Sequence, residues 1–265
     1  MRMSNADTVI AALRSGHDSF AGLVAGFSDD DLAGPSGAAE WDISQVLSHL
    51  GSGAEIARAT LQAALDGEPN PGPDFNNAVW DKWNARTERE RADGFLQANQ
   101  ELLALLESLD AGTRDTLRVD MGFLPAPVDV ATAARLRLNE FTLHSWDVRV
   151  SADEHATLPA DAAAALLHGE PNLISWIGKA DPLDGRQAVV AVTTTEPVSA
   201  FALRLQAPVS VDFDVPEQPD GTLTLPAEAW LRMVAGRLAP RYTPPGVIAT
   251  GAADLDLLRQ IFPGY

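Results

Sequence analysis

The stretch RLRLNEFTLHSWDVR, residues 135–149, carries two patterns at once. Val130, Ala134, Phe141 and Val148 recur at spacings of four and seven residues and form one apolar stripe on a helix. Glu140 and His144 stand four apart, so they project from one face, just to the side of that stripe. Arg137 lies close to the stripe, and Asp147 falls one turn beyond His144. In a helical bundle such a flank faces the gap between neighbouring helices, where metal sites are built from inward side chains. The stretch predicts a long helix over about 128–152. Its spacing alone is equally that of an exposed i,i+4 ion pair worth a few tenths of a kcal/mol.

Outward from this helix, the first 180 residues read as helical. Val9, Ile10, Leu13, Phe20, Leu23 and Val24 predict a helix over 4–27. A second opens at Asp42, an N-cap with Gln45 three residues on, and Trp41 and Val46 are placed to form a hydrophobic staple. Ile43, Val46, Leu47, Leu50, Ala54, Ala57 and Leu61 continue its apolar stripe. The breaker DGEPNPGPD precedes a third helix, predicted to run unbroken over about 76–109. A fifth is predicted over about 159–178. Four long helices with short or proline-rich joints suggest an antiparallel four-helix bundle.

After GKADPLDGR the pattern changes. AVVAVTT, AFALRLQ, VSVDFDV and GTLTL are short β-rich segments, followed by the helix PAEAWLRMVAGRL, a strand at VIAT and a last helix at GAADLDLLRQIF. The expected fold class is therefore α+β, with a helical bundle over 1–182 and a small α+β domain over 183–265.

Composition narrows the chemistry. The net charge of −18 opposes binding to nucleic acid or anionic membrane. No run of eighteen apolar residues exists, and the N-terminus lacks a continuous apolar stretch of the signal-peptide kind. A cytoplasmic location is expected. There is no cysteine, so a metal here must use histidine and carboxylate ligands.

Of the five histidines, His49 is the best partner for the Glu140–His144 pair. It lies at the edge of the second helix's apolar stripe; taken alone, it also fits a half-buried imidazole bonded to a backbone carbonyl. Gly51 and Gly53 follow it, and each costs about 1 kcal/mol of helix stability relative to alanine. They leave room for a ligand or for a close helix contact. Together, His49, Glu140 and His144 offer two imidazoles and one carboxylate, the ligand count of a catalytic zinc site with one open position. Asp147 is placed either to hold an imidazole from behind or to lie as a solvated helix-face charge. His17, His155 and His168 read as structural or surface residues.

The run W-D-x3-V-L-x-H-L at 41–50 and the run E-x3-H-x-W-D at 140–147 resemble the metal-binding N-terminal domain of mycothiol-dependent maleylpyruvate isomerases, within the wider DinB-like bundle superfamily. LPAEAWLRMVAGRL at 225–238 and the closing FPGY resemble that family's second, sterol-carrier-protein-like domain. The resemblance implies a divalent metal, usually zinc, on His49, Glu140 and His144. It implies mycothiol as thiol cosubstrate and an electrophilic small molecule as its acceptor. It also implies a substrate-binding arginine in the second domain, with Arg237 the first choice and Arg232 the second. That domain would bind substrate itself or border an interdomain cleft. The absence of cysteine agrees with a nucleophilic sulfur brought in by a cosubstrate. Isomerase and S-transferase chemistry share such a site. A metal-dependent hydrolase and a non-catalytic small-molecule-binding protein are the alternatives.

Overall fold

The computed structural model describes residues 5–167 and 172–264. The chain forms two compact units, Met1–Ala152 and Asp153–Tyr265. The first holds α1 (Asn5–Ala25), α2 (Asp29–Leu32), α3 (Ile43–Asp66), α4 (Gly72–Asn84), α5 (Glu88–Ser108), α6 (Ala111–Thr116), the short paired strands β1 (Arg118–Val119) and β2 (Val128–Asp129), and α7 (Val130–Ala152). The boundary at Ala152 falls earlier than the expected 182. The segment after it does not extend the bundle: α8 (Ala160–Leu166) packs against a helix near the C-terminus.

The four long helices α1, α3, α5 and α7 make a four-helix bundle in which α1 touches α5 and α7, and α3 touches the same two. Cross-helix pairs give the directions. Arg14 meets Glu107 and Phe20 meets Phe95, so α1 and α5 are antiparallel. His49 meets Glu140 and Leu50 meets Arg137, so α3 and α7 are antiparallel as well. The neighbours α3 and α5 run the same way, with Ser44 beside Arg91 and Arg58 beside Glu101. A same-direction pair needs a crossing connection, and α4 supplies it.

The helix expected over 76–109 is thus two helices. Thr87 caps α5 through a capping box with Glu90, and its extended backbone forces the chain to turn after Asn84. Asp42 and Gln45 form the predicted capping box of α3, which ends at Gly67 in the left-handed conformation. Phe20, Phe95 and Phe141 fill the bundle centre, joined edge-on and by stacking.

The second unit continues with α9 (Asn172–Ile177), β3 (Ala188–Thr195), β4 (Val198–Leu205), β5 (Ser210–Asp212), β6 (Gly221–Leu225), α10 (Ala227–Val234), β7 (Ile248–Gly251) and α11 (Leu255–Ile261). Part of the helix expected over 159–178, with His168, lies outside the described residues. The five-stranded sheet has the order β5-β4-β3-β6-β7, with β3 and β6 parallel and the other pairs antiparallel. Val190 and Val192 of β3 and Leu223 and Leu225 of β6 are buried at alternate positions. Trp230 of α10 meets Phe201 and Phe262 in this unit's core.

α4 packs closely on α3 where Trp83 meets Gly51. A Cβ on Gly51 would lie 2.1 Å from the Trp83 ring, whereas one on the exposed Gly22 would meet nothing within 4 Å. Gly51→Ala is expected to destabilise the protein by about 2 kcal/mol through overpacking. Gly22→Ala is expected to be neutral or to stabilise by up to about 1 kcal/mol. Urea unfolding of the two variants beside the parent checks the contrast; equal midpoints would contradict it.

Candidate metal centre

The Asp42 cap sets the start of α3, and His49 follows two turns later on the side that faces α7. On α7, Glu140 and His144 project one turn apart toward it. The ligand atoms of His49, Glu140 and His144 all lie within 4.8 Å of one another. The Glu140 Oε2 is 3.2 Å from the His49 Nε2 and 3.8 Å from the His144 Nε2. Ligands about 2.05 Å from a tetrahedral zinc stand roughly 3.4 Å apart, so the three groups need little movement to share one ion. The two imidazole rings meet edge-on, 4.5 Å between centroids.

Neighbouring groups prepare these ligands. The Asp147 carboxylate accepts a hydrogen bond from the His144 Nδ1 at 2.9 Å, and Asp147 is only 1% exposed. That bond fixes the ring and leaves Nε2 with its lone pair toward the cluster. Burial pushes the Glu140 carboxyl upward. The hydrogen bond from His49, and the charges of His144, His49 and Arg137, outweigh burial and hold the carboxyl below the usual carboxylate range. The His49 Nε2–H donates to Glu140, and a bound cation would take the place of that proton.

Beneath the cluster, Arg137 is 8% exposed and crosses to α3 and α5. Its Nη2 donates to the Leu50 carbonyl at 2.7 Å and to the Asn99 Oδ1 at 2.9 Å. Burial lowers its pKa to about 10, partly offset by Glu140, and it remains a cation at neutral pH. The Asn99 amide in turn donates to the His17 Nδ1 at 3.0 Å. Burial and the Arg14 charge lower the His17 pKa, so this ring is neutral and accepts.

The glycines after His49 have structural uses. Gly51 admits Trp83, and a Cβ on Gly53 would sit 3.0 Å from the Arg137 Nη1. The choice left open in the sequence is therefore decided for close packing. The loop before α3 approaches α7 just as closely. The Gly37 N–H donates to the Asp147 carbonyl at 2.6 Å, and a Cβ there would strike Val150. This loop carries Trp41, expected to staple onto Val46. Its ring lies 5.2 Å from that of His49 and 5.8 Å from that of His144.

The remaining candidates sit elsewhere. Arg232 is buried in the second unit in a two-point ion pair with Glu228, at 2.7 and 2.8 Å, and donates to the Tyr242 carbonyl. It braces α10 from within. Arg237 is half-buried just after α10, its Nη1 donating to the Ala235 carbonyl at 2.9 Å. His155 is exposed in a turn beside Glu154. Sequence reasoning missed the role of Arg137 and of Asn99. The signal was present: Asn99 interrupts the buried α5 stripe of Ala92, Phe95, Leu102, Leu103 and Leu106, and a buried amide needs partners.

Residues 13–149 match the sequence profile described as the mycothiol maleylpyruvate isomerase N-terminal domain. Two uncharacterized proteins, from two strains of Mycobacterium tuberculosis, are 26% identical over 164 residues, which is 61% of this chain and 76% of theirs. Crystal structures of a mycothiol-dependent maleylpyruvate isomerase and of a histidine-to-alanine mutant of it superpose with a TM-score of 0.63. Each match covers 94% of both chains at 14% identity, which is a likeness of fold.

Two measurements probe this cluster and the polar chain under it. Asp147→Asn keeps the shape but removes the charge behind His144, so affinity for Zn2+ is expected to fall about 10- to 100-fold. Competition titration against a chromogenic chelator reads the loss, and unchanged affinity would deny Asp147 this part. For His17 the sign follows from its lowered folded-state pKa. The unfolded chain takes up the proton near pH 6.5, while the folded chain refuses it until lower pH. Its contribution to stability is therefore full above about pH 6.5 and is lost progressively on acidification. His17→Gln is expected to flatten the pH dependence of urea unfolding between pH 7.5 and 5.5, and parallel curves would sink the assignment.

Proposed function

The chain belongs to the mycothiol maleylpyruvate isomerase N-terminal domain family, and from that premise we propose that it is a zinc-dependent enzyme using mycothiol as cosubstrate. In this reading it adds the thiol to an electrophilic carbon of a small molecule, as an isomerase or as an S-transferase. The observation that carries the reading is the convergence of His49 Nε2, Glu140 Oε2 and His144 Nε2 in a chain without cysteine. Two imidazoles and one carboxylate leave a coordination position open, the mark of catalytic rather than structural zinc. A metal there supplies a Lewis acid that keeps a thiol deprotonated at neutral pH.

The chain's own groups have separate tasks. Glu140 brings the one negative charge among the three ligands and moderates the charge of the ion. Asp147 holds the His144 tautomer that keeps Nε2 unprotonated. Trp41 covers the two imidazoles with an apolar ring and limits water on that side. Arg237 is the proposed substrate-binding group of the second unit, as in the sequence resemblance. If the sulfur adduct rotates about the former double bond and expels the thiol, the outcome is isomerisation. If the conjugate leaves intact, the outcome is S-transfer. The reaction belongs in the cytoplasm, where low-molecular-weight thiols are kept reduced. No described helix is long and apolar enough to cross a membrane.

The test combines metal analysis with turnover. Protein purified without added metal is expected to contain one divalent ion per chain by elemental analysis. His49→Ala is expected to lose the ion and to reduce mycothiol-dependent turnover at least about 100-fold, the scale of losing an activated nucleophile. Arg237→Gln is expected to raise KM while leaving the metal in place. Absence of stoichiometric metal, with His49→Ala as active as the parent, would defeat the proposal. Turnover that ignores mycothiol would reassign the site to hydrolysis.

A further inference from the structure

The metal cluster does not end at its ligands. His49 also lines a cavity of about 220 Å3 between α3 and α4, with Trp41 and Gln45 from the α3 side, Trp80 and Asn84 from α4, and Arg91 from α5. Trp80 and Asn84 stand four apart on α4, so one face of the crossing helix forms the wall. Trp83 of the same helix is packed inward against Gly51, at 1% exposure, while Trp80 is left 46% exposed at the rim.

Large apolar side chains are seldom left in water without a use. Among the described residues of the first unit, those left exposed are Trp41, Trp80 and Phe123. Two of these three border the cavity that His49 opens into. Tryptophan faces attract flat π systems and the edges of aromatic rings, and their electron-rich faces repel anions. Of the lining groups, Arg91 carries the permanent positive charge. Its Nη1 donates to the Ser44 Oγ at 3.2 Å and its Nη2 to the Asn84 carbonyl at 2.9 Å. These bonds fix the guanidinium in the wall and use two of its five N–H groups. One arginine suits one carboxylate. The volume is below the roughly 300–1,000 Å3 of sites that take drug-sized ligands, so the occupant is small.

We propose that this cavity binds the electrophile, and that it selects flat, conjugated molecules with no more than one carboxylate, laid against Trp80 and Trp41 with the carboxylate toward Arg91. The inference rests on the reading of His49 as a metal ligand in a thiol-using enzyme, and it names that enzyme's substrate class. A flat acceptor held there presents its conjugated carbon beside the imidazole of His49. A non-aromatic dicarboxylate such as maleate lacks the aromatic ring that the tryptophans stack on, and its second carboxylate meets no second arginine or lysine in the lining of the cavity. The chain's net charge of −18 adds to that penalty.

Calorimetric titration with cinnamate and with maleate tests the proposal, using the full chain with its metal and again after chelation. Cinnamate is expected to bind at least tenfold more tightly than maleate. Trp80→Ala is expected to weaken cinnamate binding about tenfold, the scale of one lost aromatic stacking partner, and Trp80→Phe to restore most of it. Trp80 is exposed, so neither variant disturbs the core. Maleate binding as tightly as cinnamate, or cinnamate binding indifferent to Trp80→Ala, would overturn it. The chelated protein separates the two claims. Trp80-dependent cinnamate binding in a chain that takes up no metal would keep the pocket and remove the thiol chemistry. Metal-dependent thiol turnover with no Trp80 dependence would remove the pocket alone.

Discussion

A single buried cation holds the first unit in register. The Arg137 guanidinium donates to the Leu50 carbonyl on α3 and to the Asn99 amide on α5, and Asn99 donates on to His17 of α1. One polar chain thus joins all four long helices of the bundle. A buried charge left without acceptors costs several kcal/mol, so the helices are constrained to arrangements that supply them. The residues it ties are neighbours of the candidate ligands: Leu50 follows His49, and Arg137 lies one turn before Glu140. The clamp therefore sets the separation between His49 and the Glu140–His144 pair. The spacing of these three side chains is a consequence of core packing.

The same clamp offsets a cost above it. Glu140 and Asp147 place two carboxylates within one stretch of α7, one of them almost wholly buried. Arg137 below and the two imidazoles beside them provide the compensating donors and charge. Gly53 gives the guanidinium its room, and Gly37 lets the preceding loop rest on the α7 backbone next to Asp147. Both glycines allow a close approach to one helix, Gly53 at Arg137 and Gly37 nearly three turns further on at Asp147. A methyl group at Gly53 would press on the Arg137 guanidinium, and one at Gly37 on Val150 and the Asp147 backbone.

Much of this was legible in the sequence, and the reasons for the rest are physical. Glu140 and His144 were readable because helical spacing alone puts them on one face. His49 was readable because it lies on a helix at the edge of an apolar stripe, whereas His17, also on a helix, has no acid at helical spacing. The structure places the side chains of these three close together. The β segments of the second unit were legible because alternation and turn residues are local signals. The break between α4 and α5 was written in Thr87 and Glu90, but leucine-rich periodicity on the α5 side masked it. The boundary at Ala152 was not legible, because α8 is as helical in composition as the bundle, and only its packing on α10 assigns it. The partners of Arg137 were hidden for a different reason. A buried hydrogen bond joins residues that are distant in sequence, and no periodicity records it.

The crossing helix explains why topology matters to the site. With α3 and α5 running the same way, the chain must travel back between them, and the proline-rich stretch at 66–74 starts that return. In a bundle of simple hairpins, α3 and α5 would be joined differently and α4 would not exist. Here α4 lies across α3 on the side of His49 and carries Trp80, Trp83 and Asn84 on one face. Trp83 anchors it through the space left by Gly51, which fixes Trp80, one turn before the anchor, and Asn84, the residue after it. The helix needed to reverse the chain is thus also a wall of the cavity that His49 lines. Trp83 gives that short helix its anchor, and Trp80 is left at the rim of the cavity.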